Sequence, residues 1–141
     1  MELKAVVVDD NPLDIETLKT LLNEYFPLIR ITGEANIIDR GFELIKETSP
    51  DVLFLDIKMS RGNGFDLLER FPIRNFEVIF ISGYDDFREK AKQYYSFDYL
   101  CKPIDVMRFT NIMKKLVDYR RQNPGKVHRL ISPINQSPTI P

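Results

Sequence analysis

Short, continuously apolar runs alternate over residues 1–121 with longer segments in which apolar side chains recur every three or four positions. Continuous apolar runs predict strands that are covered on both faces, as in a parallel sheet. The longer segments predict amphipathic helices. The predicted strands are residues 3–8, 29–35, 51–56, 77–82 and 98–102. Five successive strand–helix units therefore indicate an α/β fold with a doubly wound parallel sheet and helices on both faces.

The helical segments differ in how clear their apolar stripes are. The first has Asn11 as a candidate N-cap and Pro12 in its first turn. The fourth is predicted from Phe87, Ala91, Tyr94 and Tyr95, and the fifth from Phe109, Ile112, Met113, Leu116 and Val117. We expect each stripe to pack against one face of the sheet.

Length and composition limit the possible classes of protein. The chain has 141 residues, a net charge of −1 and one cysteine, Cys101. This length suits one domain, and a single cysteine excludes an internal disulfide framework. No apolar run is long enough to cross a bilayer. We therefore expect a cytoplasmic, single-domain protein that has no membrane partner.

The C-terminal part of the chain has a different composition. Residues 122–141 contain four prolines, and residues 119–141 contain four basic residues and no acidic one. Such a composition does not favour a packed element. We therefore place the domain at residues 1–121 and interpret residues 122–141 as a basic, proline-rich linker or tail. Val127, Leu130 and Ile131 are the side chains that could dock on the domain.

Polar side chains follow four of the five predicted strands. Asp9 and Asp10 end the first strand, Asp56 the third, Ser82 the fourth and Lys102 the fifth. Ligands bind beyond the carboxyl ends of the strands in such sheets. Clustered carboxylates need a counter-charge, and oxygen ligands suit Mg²⁺. Taken singly, each residue is ordinary loop or cap chemistry, but their joint position favours a site.

Several segments together resemble the receiver domain of two-component response regulators. They are VVVDD, FLDIKM, the glycine at Gly64, ISG and YLCKP, and the resemblance covers about residues 3–121. It implies a flavodoxin-like or CheY-like fold with strand order 2-1-3-4-5. The family commonly has proline where this chain has Ser60, so we expect altered kinetics rather than lost function.

The resemblance also implies a role for each residue of the site. Asp56 matches the phosphoacceptor, and Asp9 and Asp10 match the acidic pair that holds Mg²⁺ together with Asp56. The main-chain carbonyl of Lys58 matches a further metal ligand.

Three further residues match the family's phosphoryl-contacting lysine and its two switch residues. Lys102 matches the lysine that contacts a phosphoryl oxygen. Ser82 matches the switch hydroxyl and Tyr99 the switch aromatic. The chemistry that the resemblance implies is limited to phosphotransfer onto Asp56 and loss of that phosphoryl group, so the chain is not expected to be an enzyme on other substrates.

The function implied is a phosphorylation-dependent switch. The expected donor is a sensor histidine kinase or a phosphotransfer protein. The surface expected to change is formed by the fourth helix, the fifth strand and the fifth helix, and it is also a possible homodimer interface. The chain most resembles receivers of LytTR-type regulators, so it is either a stand-alone receiver or a fragment of such a regulator. DNA would be bound only by a domain beyond residue 141.

A phosphatase is the alternative class of function. Haloacid-dehalogenase-type phosphatases carry a nucleophilic aspartate after the first strand and another acid two residues later. Here the residues two after Asp9 and Asp10 are Asn11 and Pro12. The sequence therefore disfavours a phosphatase.

Overall fold

The computed structural model describes residues 2–130. The strands are β1 (Leu3–Val8), β2 (Ile29–Ala35), β3 (Val52–Leu55), β4 (Ile73–Arg74), β5 (Glu77–Ser82), β6 (Asp98–Cys101) and β7 (His128–Arg129). The helices are α1 (Pro12–Tyr25), α2 (Ile38–Thr48), α3 (Gly64–Glu69), α4 (Arg88–Gln93) and α5 (Val106–Gln122). Five strands form a parallel sheet in the order β2-β1-β3-β5-β6. Because β5 and β6 are the fourth and fifth strands of this sheet, the predicted order is confirmed.

The sheet separates two hydrophobic cores. Alternate side chains of β1 point to opposite faces, so Leu3, Ala5 and Val7 lie in one core while Val6 and Val8 lie in the other. Helices α1 and α5 cover the first core, and α2, α3 and α4 cover the second. Each helix buries only one stripe, and none in the described part of the chain is both long and apolar enough to cross a membrane.

The predicted fourth helix is shorter than its apolar spacing suggested. Helix α4 ends at Gln93, and Tyr95 has a φ of 56°, in the left-handed region. A tyrosine in that region cannot continue a right-handed helix. Tyr94 is buried and Tyr95 is exposed, so only the first of the pair belongs to the core.

The first part of the predicted tail differs from the expectation of an unpacked linker. Helix α5 ends at Gln122, and the chain then returns to the domain, where β7 pairs antiparallel with β4. Leu130 is buried, and its N–H donates to the Pro72 carbonyl oxygen at 2.6 Å. A strand of two residues is too short to show a periodic pattern of apolar side chains. The composition of residues 122–141 is therefore the signal in the sequence, and it predicts a linker. Residues 131–141, including Ile131, lie outside the described residues.

Candidate functional site

The carboxyl ends of four parallel strands bring the predicted site residues to one edge of the sheet. The Asp56 N–H donates to the Val8 carbonyl at 2.9 Å, and the Lys102 N–H donates to the Ser82 carbonyl at 2.8 Å. These bonds extend the strand pairing by one residue, so the backbone of each predicted site residue is held at the edge of the sheet. The main chain thus positions Asp56 and Lys102 before any side-chain contact is made.

Asp9, Asp10 and Asp56 form a carboxylate cluster. One oxygen of each lies within 4.8 Å of the others. Asp9 and Asp56 are buried, whereas Asp10 is half-buried. Three carboxylates at this spacing are a donor set for a hard divalent cation, which prefers oxygen ligands. The cluster therefore fits Mg²⁺ by its donor chemistry.

Local hydrogen bonds fix the orientation of two of these carboxylates. Asp9 Oδ1 accepts from the Asn11 N–H at 2.9 Å. Asp10 Oδ2 accepts from the Ser60 N–H at 2.9 Å, which ties the β1–α1 loop to the β3–α3 loop. A carboxylate offers two acceptor atoms, and the second oxygen of Asp9 contacts Lys102.

Lys102 is the cation at the centre of the site. Its Nζ lies 2.9 Å from Asp9 Oδ2, 3.3 Å from Asp56 Oδ2 and 2.8 Å from Asp14 Oδ2. Burial by itself lowers the pKa of Lys102, but hydrogen bonds and charge from Asp14, Asp9 and Asp56 raise it above the ordinary lysine value. Lys102 therefore stays protonated and neutralises part of the cluster.

Asp14 completes this arrangement and was not predicted as part of the site. It lies in the first turn of α1, where an acidic residue also suits the helix dipole. That helix position is its ordinary interpretation in a sequence. The signal that could have found it is spacing, since Asp14 is one helical turn beyond the capped start of α1 and faces the same edge as Asp9.

The Asp56 carboxyl group is held in an unfavourable environment for a charge. Burial, and then repulsion by the Asp9 carboxylate, raise the pKa of Asp56 to about 6, against the opposing effects of Lys102 and of the Ile57 N–H. Oδ1 accepts from that Ile57 N–H at 2.8 Å. A perturbed carboxyl group in a charged cluster at a sheet edge is typical of a functional residue.

Gly64 lies against the backbone of Asp56. Its N–H donates to the Ile57 carbonyl at 2.8 Å, and a Cβ built on Gly64 would collide with the Asp56 carbonyl oxygen. Only glycine permits this approach without displacement. The first residue of α3 therefore packs directly against the backbone of Asp56.

The predicted switch residues are connected through Tyr84. The N–H of Tyr84 donates to Ser82 Oγ at 3.2 Å, and the Tyr99 hydroxyl donates to the Tyr84 carbonyl oxygen. Ser82 and Tyr99 are both buried. The Arg88 guanidinium lies 4.8 Å from the centre of the Tyr99 ring. The side chains of Ser82 and Tyr99 thus both contact the backbone of Tyr84 in the β5–α4 loop.

Lys58 lies in the β3–α3 loop beside this segment. Its Nζ is 4.2 Å from the centre of the Tyr84 ring and 5.5 Å from that of Phe87. This is cation–π geometry. The side chain therefore bridges the two loops that flank Asp56, while the metal-ligand role of its carbonyl stays a prediction.

Comparison with known proteins identifies the family. The chain matches the family described as the response regulator receiver domain over residues 5–114. The chain belongs to this family. The resemblance drawn from its sequence segments is confirmed, and the carboxylate cluster occupies the edge of a receiver fold.

The relatives include longer proteins. The receiver is 35% identical over 135 residues to the transcriptional regulatory protein BtsR of Escherichia coli, covering 95% of this chain and 54% of BtsR. It is 31% identical over 152 residues to the sensory transduction protein LytT of Bacillus cereus, covering 96% of this chain and 60% of LytT. The chain thus spans little more than half the length of these relatives.

Solved structures support the fold. The REC domain of AraT, a response regulator from Geobacillus stearothermophilus, is 28% identical and superposes with a TM-score of 0.77. The match covers 88% of this receiver and 99% of that domain. The α/β architecture of this chain is therefore that of a receiver domain.

Proposed function

We propose that this receiver is a signalling switch that accepts a phosphoryl group on Asp56. The observation that carries the proposal is the contact between the Asp56 carboxylate and the Lys102 ammonium inside the carboxylate cluster. A buried carboxylate with a raised pKa is costly to keep for stability alone, whereas a phosphoacceptor needs a carboxylate beside positive charge.

The transfer joins phosphorus to a carboxylate oxygen of Asp56. In the donor, phosphorus is bonded to an imidazole nitrogen of a phosphohistidine, and this bond breaks as the new bond to oxygen forms. The imidazole leaves with the bonding electron pair, and the product is an acyl phosphate. Because the incoming group is itself anionic, the step depends on positioning and on positive charge.

The chain's own residues supply most of this environment. We assign Lys102 to an oxygen of the transferred group, since it already contacts Asp56 and carries a proton. We assign Asp9, Asp10, Asp56 and the Lys58 carbonyl to a Mg²⁺ site. When bound there, Mg²⁺ offsets the negative charge of the phosphoryl group and the carboxylates.

The switch is assigned to Ser82 and Tyr99. A phosphoryl oxygen on Asp56 offers the Ser82 hydroxyl a charge-assisted hydrogen bond. Ser82 Oγ now accepts from the Tyr84 N–H, so its movement would disturb Tyr84, whose carbonyl holds the Tyr99 hydroxyl. We infer that the surface of α4, β6 and α5 changes as a result, and that it serves an output contact or a homodimer.

The proposed donor is a sensor histidine kinase or a phosphotransfer protein. Leu13 on α1 and Met107 on α5 are 75% and 76% exposed. Both helices cover the same face and begin at the edge that carries Asp56. Exposed apolar side chains at the rim of a site suit the docking of an amphipathic helix. We place this exchange in the cytoplasm, where the single thiol of Cys101 would stay reduced.

A second proposal concerns the output. The share of BtsR and LytT that this chain covers supports a receiver fused to a further domain, as in a LytTR-type transcription regulator. DNA binding would then belong to that domain and not to residues 2–130. A gel-shift assay of the full regulator, with and without phosphorylation, tests this arrangement against a stand-alone receiver.

The experiment that tests the main proposal is intact-mass measurement after incubation with acetyl phosphate. We expect the wild type to gain one phosphoryl group with Mg²⁺ present and to gain none with excess chelator. Asp56→Asn keeps the shape of the side chain and is expected to stay unlabelled. Labelling that is unchanged by the chelator would contradict the Mg²⁺ assignment, and equal labelling of the variant would contradict the phosphoacceptor.

A further inference from the structure

The end of the sheet opposite Asp56 holds a second cluster of charged side chains. Arg74, Glu77 and Arg120 are 3%, 1% and 5% exposed, and His128 is half-buried beside them. Charged side chains are rarely this buried unless they are paired. This cluster has no part in the proposed phosphoryl chemistry, so its purpose needs a separate explanation.

The cluster is centred on a contact with the returning chain. His128 Nε2 lies 3.1 Å from both carboxylate oxygens of Glu77. On the other side, Arg120 Nη1 lies 4.0 Å from Glu77 and also donates to the Asn75 carbonyl. Residues 127–130, which we call the C-terminal strap, are therefore held by a buried carboxylate at the start of β5.

The strap is also paired and packed. Its β7 residues pair with β4, and the Leu130 N–H donates to the Pro72 carbonyl. The Leu130 side chain lies in the same hydrophobic core as Phe76 and Tyr94. Backbone pairing, a charged contact and an apolar anchor thus act on only four residues.

The strap is connected to the end of α4 by two contacts of Tyr95. The Tyr95 ring stacks on the His128 ring, with centroids 6.1 Å apart and planes at 13°. The Tyr95 carbonyl accepts from Arg74 Nη2 at 2.9 Å, and Arg74 pairs with His128 between β4 and β7. Tyr95 has the left-handed backbone that ends α4, so its position depends on where that helix ends.

Arg74 makes this connection sensitive to displacement. Its Nε donates to the Phe76 carbonyl, but among residues 2–130 its buried Nη1 has no hydrogen-bond partner. Loss of the Tyr95 carbonyl would leave a second buried N–H unpaired, which is unfavourable. A displacement of Tyr95 would therefore weaken both its contact with Arg74 and its contact with the strap.

We propose that the strap is a latch that senses the position of α4 and detaches from β4 and Glu77 when α4 moves. The latch rests on the proposed function, because phosphorylation of Asp56 is what would move α4. It adds a route from that helix to the segment that leads away from the domain, through Tyr95, His128 and Glu77. In a fused regulator, this route would couple the position of α4 to the attachment of the strap.

The test measures amide exchange of Leu130 by NMR in the full 141-residue chain. Spectra are recorded with Mg²⁺ alone and with Mg²⁺ and beryllofluoride, which mimics a phosphoryl group on Asp56. We expect beryllofluoride to accelerate exchange of the Leu130 amide about fivefold or more, the lower range of an allosteric coupling. In His128→Ala, we expect the Leu130 amide to exchange rapidly under both conditions, because the contact between His128 and Glu77 is lost.

Tyr95→Asn is the variant that separates coupling from simple stability. Asparagine tolerates the left-handed backbone but lacks the ring that stacks on His128. We expect the Asp56 loop and α4 of this variant to respond to beryllofluoride, while exchange of the Leu130 amide accelerates by well under the roughly fivefold change expected in the wild type. A full Leu130 response in Tyr95→Asn would overturn the role of Tyr95.

The outcomes also separate the latch from the proposed function. If beryllofluoride changes the Asp56 loop and α4 of the wild type but not the exchange of Leu130, the latch is overturned and the switch stands. If no signal around Asp56 changes, the proposed function itself fails.

Discussion

The Lys102 ammonium lies 3.3 Å from the Asp56 carboxylate and 2.9 Å from that of Asp9, so one cation contacts two buried carboxylates at the edge of the sheet. It also contacts Asp14, while Asp10 adds a fourth negative charge nearby. Four carboxylates and one ammonium leave the cluster anionic. We therefore expect the stability of the domain to change when Lys102 is replaced and when Mg²⁺ binds to the cluster.

Removing the cation should destabilise the fold. We expect Lys102→Gln to lower the free energy of unfolding at pH 7 by about 3 kcal/mol, because Asp9 and Asp56 keep buried charges without their partner. Lys19→Gln is the control, since Lys19 pairs with Glu34 on the surface and its loss should matter much less. Urea denaturation measures both, and equal losses would contradict the central role of Lys102.

Metal binding should depend on Asp10. We expect Mg²⁺ to raise the melting temperature of the wild type, and Asp10→Ala to lose most of that increase, because Asp10 is an oxygen donor of the cluster that is not paired with Lys102, whereas Asp9 is. Asp9→Ala should lose less. Asp118→Ala removes a carboxylate from the exposed face of α5 and serves as the control. A Mg²⁺ response that survives in Asp10→Ala would contradict the assignment.

The start of α3 should tolerate no side chain. We expect Gly64→Ala to destabilise the receiver by about 2 kcal/mol, because the new methyl group collides with the Asp56 carbonyl. Gly83→Ala makes the same change where nothing lies within 4 Å and should alter stability little. Thermal unfolding of the two variants measures the difference, and the interpretation fails if Gly83→Ala is the more destabilised.

The returning chain should contribute to stability. We expect a chain that ends at Gln122 to unfold at a lower urea concentration than one that ends at Leu130, with about 2–4 kcal/mol between them. The shorter chain loses the buried Leu130 and leaves Glu77 without His128. A linker that does not pack, as the composition of residues 122–141 predicts, would contribute little to stability. Equal stability would support that simpler interpretation.

The switch surface should respond through Ser82. With Mg²⁺ and beryllofluoride, we expect chemical-shift changes in residues 84–109 of the wild type, because Ser82 and Tyr99 both contact Tyr84. Ser82→Ala should bind the mimic yet show smaller changes in that range, since it lacks the hydroxyl. Changes confined to the Asp56 loop of the wild type would remove the basis for this surface.

The sequence predicted the sheet and the carboxylate cluster because both follow from local patterns. Continuous apolar runs located the five sheet strands, and residues such as Asp56 and Lys102 directly follow their strands. In a parallel sheet the residues that directly follow the strands lie at one edge, so residues that are distant in the chain come close together in space.

The contacts that were missed depend on tertiary structure. Asp14 resembled a residue that only favours a helix start, and nothing local indicates that Lys102 reaches it. Glu77 and Arg120 are buried although their polarity predicts exposure, because the fold brings His128 to Glu77 and Asp51 to Arg120. The strands β4 and β7 have two residues each and form only as a pair.

The central claim is tested most directly by locating the phosphoryl group chemically. Borohydride reduces an acyl phosphate on aspartate to homoserine, which peptide mass spectrometry assigns to one position. After treatment with acetyl phosphate and Mg²⁺, we predict homoserine at position 56 in the wild type and at no other aspartate. Homoserine at Asp9 or Asp10, or none at position 56 in a labelled protein, would contradict the account.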